Sequence, residues 1–334
     1  MDEPMTPRAA MKYSDIPNGK RPPSDAMMDV IEFPDRFTMR LGTAEEMDAR
    51  GLGHLETLKA AVAMFDDVHN DPAAGQYYCN GTVYLPATRY RWSGGWLKPG
   101  RLKLYGVPGW DGACTRIDYE GTENEDGYLI AVANANAKSG NSNFCEQIHG
   151  LNLRCYEKIQ GARLSLAQMS QVSNLYVKDP IDNGNGIRVC EGSNHFSIHG
   201  QVWAGGKAGE SRPGSGVTGV LCDSYVHGRF DLKVEQCTTG FYFNNGNYNL
   251  DGSIVEACGE AIVTDEKKNS ITGDIHVHAN QSEVLVRCKK GARMIRLSGV
   301  IRDTPGECFL MDGDEKVLLT KDGKFSPFRV ELPL

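Results

Sequence analysis

Asp231, Asp251 and Asp274 stand 20 and 23 residues apart in a chain of 334, each beside an apolar residue. In an extended strand, successive side chains point to opposite faces. The run Phe230-Asp-Leu-Lys-Val234 therefore turns Phe230, Leu232 and Val234 one way and Asp231 and Lys233 the other. If the strands that carry these aspartates stack in register, about 4.8 Å apart, the carboxylates form a ladder flanked by His199, Lys233 and His276. Two chemistries fit such a ladder. A pair of carboxylates about 5 to 9.5 Å apart hydrolyses a glycosidic bond, one as acid and the other as base or nucleophile. Alternatively, stacked carboxylate oxygens hold Ca²⁺ while a Lys or Arg removes a proton beside a uronate carboxylate. Asp231 and Asp251, on adjacent strands, are the expected catalytic pair, with Asp274 next in line. A solvated sheet face puts the same residue types at the same positions, so the pattern fits either a site or plain surface.

The aromatics add a second signal. Trp92, Trp96, Trp110 and Trp203 sit beside glycine-rich turns. A tryptophan ring is apolar on its face and can hydrogen-bond at its edge, so it stacks well on sugars; the same residues also serve as core caps. Trp203 is the one expected at a glycan, because it shares the outward positions of its strand with His199 and precedes the loop from Ala204 to Ser215. Glycan contact is accordingly expected from Trp203, His199, Lys233, His276 and Arg296. His276 and His278 alternate by two, as a metal pair would, but no third ligand accompanies them, and no metal site is assigned. Asn80-Gly-Thr82 and Asn280-Gln-Ser282 match a glycosylation acceptor and are read as chance.

Those side chains need a scaffold, and the chain advertises one. After residue 80, short apolar runs recur with glycine and asparagine between them and no helical period. The landmarks Ile187, Val220, Phe241, Ile262, Leu285 and Phe309 are separated by 33, 21, 21, 23 and 24 residues, the long interval containing the loop from Ala204. A second run follows at a similar offset, with Phe196, Ile198, Val202, Phe230, Leu232, Val234, Leu250, Ile254, Ile271, Ile275, Ile295 and Leu297 expected inward. A fixed period of about 20 to 25 residues made of strands and turns marks a β-solenoid. One coil cannot bury its apolar side alone; stacking coils closes the core. Upstream, Leu55, Leu58, Val62 and Phe65 define one amphipathic helix, which Asn70-Asp-Pro72 is expected to end. Residues 1–50, rich in proline, read as an arm fit for anchoring. The organisation expected is an arm over 1–50, a capping helix and lead-in over 51–80, a parallel β-solenoid over 81–312, and a cap or tail over 313–334.

Composition bounds the partners. The net charge is −7, which disfavours duplex nucleic acid. No run approaches about 18 consecutive apolar residues, so no spanning helix is expected. The start, Met-Asp-Glu-Pro-Met-Thr-Pro-Arg8, lacks the basic and apolar regions of a secretory signal. The ten cysteines contain no Cys-x-x-Cys pair, which argues against a zinc cluster and for reduced thiols buried as small hydrophobes.

The stretch from Leu55 to Gly121 sharpens the reading. The helix runs into Asn80-Gly-Thr-Val-Tyr-Leu-Pro86, then Tyr90-Arg-Trp92, Leu97 and Leu102-Lys-Leu-Tyr-Gly106. This order resembles the opening of pectate-lyase-like right-handed parallel β-helix proteins, which include phage tailspikes and virion-associated depolymerases. The acidic Asp-Gly-x-x-Asp-Asp-Thr stretch frequent in that family is replaced by Ala49-Arg-Gly-Leu-Gly-His-Leu-Glu-Thr57. The resemblance implies an all-β right-handed parallel β-helix with a short N-terminal capping helix and an extended arm. It further implies a tailspike-like virion protein that binds, and in some members depolymerises, host surface polysaccharide. Such a protein would be a homotrimer, carried in the virion tail after assembly in the host cytoplasm and joined to other tail proteins through the arm. A free, secreted bacterial polysaccharide lyase or glycoside hydrolase is the alternative, and a structural virion component without glycan activity the second. No cofactor is expected, Ca²⁺ entering only with lyase chemistry.

Overall fold

The computed structural model of the chain describes residues 25–65, 67–71, 76–109, 112–133, 145–205, 215–265, 268–278, 284–290, 294–302, 308–312, 315–320 and 325–332. Among them the fold is all-β apart from three short helices. The strands sort into a fifteen-stranded sheet, a ten-stranded sheet and one small hairpin. From Asn124–Val132 to Cys308–Asp312 the chain alternates between the two large sheets, with both Gly246–Asn249 and Ile254–Glu256 in the longer one. Every pairing made within this stretch is parallel and joins strands one repeat apart.

The apolar landmarks form one ladder in the shorter sheet. Ile187 faces Val220, Val220 faces Phe241, and Phe241 faces Ile262. The next rung is Val286 rather than Leu285, and Val286 faces Leu310 while Phe309 faces Val284. An irregularity between Val284 and Val286 slips the register there, and Leu285 is buried all the same. Between the sheets, Phe196 meets Phe230 edge-on at 5.6 Å and Phe243 stacks on Tyr248 at 4.0 Å. Burying each such ring contributes about 1.5–3 kcal/mol.

In the longer sheet the expected inward residues are buried with one exception. Ile254 faces Lys233 and His276 on the outer side, and Val255 takes the inner place opposite Val234 and Val277. The turn at Asp251–Ser253 interrupts the strand and resets its alternation by one, which exchanges the two faces. Buried polar side chains close the corners. Asn269 accepts from the Gly246 amide at 2.9 Å and donates to the Phe243 carbonyl at 3.2 Å and to Thr264. Ser253 donates to the Phe230 carbonyl at 2.9 Å.

The helix spans His54–Ala63 and buries Leu55, Leu58 and Val62 as expected. It ends before Asn70, because Val68–Asp71 pairs with Gln76–Cys79 as a hairpin. The N-terminal segment is part of the fold from Asp25 onward. Ile31–Asp35 and Thr38–Leu41 form a hairpin whose second strand joins Thr82–Tyr84 in parallel, and Thr43 with Glu46 makes a capping box on the helix Ala44–Ala49. The arm read over 1–50 therefore stops being separate at residue 25, and residues 1–24 lie outside the described residues. At the other end, Phe325–Leu332 and Glu315–Thr320 add antiparallel and terminate both sheets. Cys79, Cys114, Cys145, Cys155, Cys190, Cys222, Cys237, Cys258 and Cys288 are free, seven of them buried. Among the described residues, no helix is long and apolar enough to cross a membrane.

Candidate functional site

Parallel pairing turns sequence repeats into columns that run across the outer face of the longer sheet. One column contains the three aspartates. His199 faces Asp231, and Asp274 faces Ser298. Between them lies the Asp251–Gly252 turn. The Asp274 amide donates to Asp251 Oδ1 at 2.9 Å, and the Gly252 amide to the Asp274 carbonyl at 3.0 Å. Gly252 has φ +86°, and a Cβ there would lie 2.9 Å from Asp231 Oδ1, so glycine is what lets Asp231 close against the turn.

The three carboxylates are not equivalent. Asp251 Oδ1 holds the Asp274 amide, and Oδ2 accepts from Asn249 Nδ2 at 3.0 Å. Its two oxygens staple a turn. Asp274 is exposed and accepts from the Ser298 hydroxyl at 2.9 Å. Asp231 is half-buried beside Gly252. Asp251, Asp274, Arg296 and Ser298 share an open depression of about 360 Å³ with Asn249 and Thr272. The structure thus brings Arg296 to the ladder, while Asp251 serves the turn.

Lys233, His276 and His278 belong to neighbouring columns. Lys233 pairs with Glu235 at 2.5 Å and Glu256 at 2.9 Å, and His278 Nδ1 lies 3.3 Å from Glu256. Gln201 donates its side-chain amide to Glu235. Burial raises the Glu256 carboxyl, but the hydrogen bond and charge of Lys233 outweigh it and hold it below the ordinary range. Burial likewise lowers the Lys233 ammonium, and Glu235 and Glu256 outweigh it and hold it above its usual value. Lys233 is therefore a fixed cation clamping two carboxylates on adjacent strands that would otherwise repel. His276 sits in register between Ile254 and Val300, with its Nε2 buried and unpartnered. His199 is exposed, its Nδ1 accepting from the Asn174 amide at 3.4 Å.

Trp203 is outward but does not meet the ladder. It lies four residues beyond His199 along the same strand, about 13 Å at strand rise, in register with Lys178 and Glu235. Its Nε1 donates to Gln236 at 2.8 Å, and Lys178 Nζ lies 4.1 Å from the ring centroid. The expected convergence of Trp203 with Asp231, Asp251 and Asp274 is thus corrected to two separate places on one face. Trp92 and Trp96 are core residues, packed edge-on at 6.0 Å; Trp110, most of the loop from Ala204 and Asn280–Ser282 lie outside the described residues.

Arg229, exposed and in register with Ser197 and Asn249, and Glu256 were not singled out by the sequence. Glu256 follows the turn that resets the alternation, so only the register reveals it. Among the described residues, no group of three or more His, Cys, Asp or Glu has a geometry that could hold a metal ion. No family model matches the chain, and neither a curated protein nor a solved structure is similar to it.

Proposed function

We propose that the two sheets wind as one right-handed parallel β-helix whose longer sheet binds a polysaccharide on its outer face, in a tailspike-like virion protein. The protein would assemble as a homotrimer in the host cytoplasm and join other tail proteins through its N-terminal segment. The alternation of strands between two parallel sheets supports the winding. The observation that carries the binding reading is the outward column His199–Asp231–Asp274–Ser298 with Arg296 beside it. It offers acceptors and donors on a solvent-facing line, which matches sugar hydroxyls that both donate and accept. Two rungs span about 9.6 Å, close to the length of a disaccharide, so a polymer laid along the column meets equivalent positions repeatedly.

The test is affinity electrophoresis of the full chain through gels carrying each of a panel of acidic and neutral bacterial surface polysaccharides. At least one polysaccharide should retard the protein, and Asp274→Ala with Arg296→Ala should abolish the retardation. A folded protein retarded by none, or equally with and without both substitutions, refutes the reading. Light scattering should give a trimer, and a monomer refutes the assembly.

A further inference from the structure

A second group on the longer sheet is built around one buried carboxylate. Asp118, in the strand Thr115–Tyr119, has no exposed surface, although it shares the outer side with Arg116 and alternates with the buried Ile117. Three side chains cover it. Arg89 Nε donates to Oδ2, and Arg116 donates from Nε to Oδ1 at 2.6 Å and from Nη2 to Oδ2 at 3.0 Å. The Tyr156 hydroxyl donates to Oδ2 at 2.9 Å and accepts from Arg116 Nη2 at 2.6 Å. In register, Asp118 stands between Arg91 and Arg154, and Lys178 follows Arg154. Arg91 is taken by Asp48 at 2.6 Å.

One carboxylate cannot neutralise the two guanidiniums that touch it, and Arg89 keeps 57% of its side chain exposed. Beside it opens a pocket of about 390 Å³, whose lining residues include Arg89, Lys158, Tyr156, Glu120, Glu157 and Asp179. The turn that delivers Tyr156 is strained. Tyr156 and Glu157 adopt φ of 53° and 59° in succession, a left-handed conformation costly for bulky residues and concentrated at functional sites. The Glu157 amide pins the turn to the Asp179 carbonyl at 2.7 Å.

We infer that this pocket is a subsite for an acidic sugar, whose carboxylate engages Arg89 with Arg116 behind it, whose ring lies against Tyr156, and whose hydroxyls reach the carboxylates of the lining. Asp118 holds both guanidiniums in place before any ligand arrives, so binding does not have to order them. Guanidinium–carboxylate pairs are the strong, directional contact for such a group. The acidic residues of the lining accept hydroxyl hydrogen bonds, which a sugar ring supplies and a free sulfate does not. The inference rests on the polysaccharide-binding reading and deepens it, because the bound polymer must then carry an acidic residue.

The experiment titrates the full chain with glucuronate, galacturonate and N-acetylneuraminate, and with glucose and galactose as neutral controls, by ligand-observed NMR and calorimetry. At least one acid should bind about tenfold or more tighter than the neutral sugars, and more weakly as ionic strength rises. Arg89→Met should weaken it about tenfold, the scale of one lost charge-assisted hydrogen bond. Lys158→Met, which uncovers no buried charge, should weaken it about threefold, and Glu32→Gln, exposed on the N-terminal hairpin, should leave it unchanged. Binding by none of the acids, equal binding of neutral sugars, or full affinity in folded Arg89→Met and Lys158→Met overturns the inference. A chain still retarded by a polysaccharide gel in that event keeps the broader reading and loses this one. Sugar-acid binding without any gel retardation keeps the pocket and loses the extended polymer.

Discussion

Removing the Asp251 side chain separates two roles that the aspartate ladder superimposes. Asp251 accepts the Asp274 amide at 2.9 Å and the Asn249 side-chain amide at 3.0 Å, while its own amide donates to Asn249 Oδ1 at 3.2 Å. Hydrogen bonds to a charged acceptor contribute about 1.5–3 kcal/mol each, and the low end applies to a half-buried group that water can reach. Asp251→Ala should therefore cost about 1–3 kcal/mol and lower the melting temperature by several degrees. Asp274→Ala removes one exposed contact with a serine hydroxyl and Asp231→Ala removes a half-buried carboxylate, so each should stay within about 0.5 kcal/mol, as surface substitutions do. Binding should show the reverse order. Gel retardation by the responsive polysaccharide should fall most with Asp274→Ala, and with Asp251→Ala only in proportion to the loss of folded protein. The assay is a thermal melt and an affinity gel on the same three preparations. An Asp251→Ala protein that melts with the parent, or an Asp274→Ala protein destabilised as much as it, refutes the division between staple and contact.

Phe241→Ala should cost about 3–5 kcal/mol in urea unfolding, as the ring is fully buried against Phe230 and Phe243; a cost under about 1 kcal/mol contradicts the ladder. Asn269→Ala leaves the Gly246 amide without its partner inside the corner and the Phe243 carbonyl with the Asp265 amide alone, so about 1–3 kcal/mol should be lost, and a neutral result means the corner is not sealed as described. Burial, and then the charge of His195, hold the His227 imidazole below its usual value, and its Nδ1 accepts from the Asn247 amide at 3.1 Å. The folded chain then binds fewer protons than the unfolded one, so stability should fall as pH drops below about 6.5 and level off below the folded value. His227→Gln should flatten that part of the curve, and an unaltered pH dependence of the urea midpoint contradicts it. Burial pushes the Cys190 thiol up to about 11, leaving about one thiolate in a thousand at pH 8. Peptide mapping after iodoacetamide should therefore find exposed Cys145 modified long before Cys190, and equal rates contradict the burial.

What the sequence shows of this fold is whatever the repeat preserves. The spacing of 21 between Val220, Phe241 and Ile262 is the length of one circuit through both sheets, so stacked rungs are legible as a period. The misplacements come where the period is broken. Ile254 follows a turn inserted within a strand position, and Leu285 sits at a register irregularity. Alternation carries no information across such breaks, because a one-residue slip exchanges the faces. The aspartates survive as a column because their intervals stay close to one repeat. Trp203 falls outside that column, and its position in the strand already separates it. Outward places on one strand are two residues apart, about 6.6 Å, and Trp203 lies two such places past His199.

The Asp118 group was illegible for a different reason. Arg89, Asp118 and Tyr156 are 29 and 38 residues apart, unlike the later repeats, and Tyr156 arrives through a left-handed turn that no residue type announces. Once the register is known, a single column reads Arg91, Asp118, Arg154, Lys178, Trp203, Glu235, Glu256, His278 and Arg302. Its early rungs are cationic around one buried carboxylate, the two rungs after Trp203 are the carboxylates clamped by Lys233, and the last described rung is Arg302. Trp203 stands where the sign changes, with Lys178 against its ring. A net charge of −7 says nothing of this separation, because it sums over a chain that stacking has sorted into columns. A polymer whose acidic groups recur at one end of each repeat meets such a face differently in its two directions. The order of charge along the face is therefore a property of register, which no composition of the chain contains.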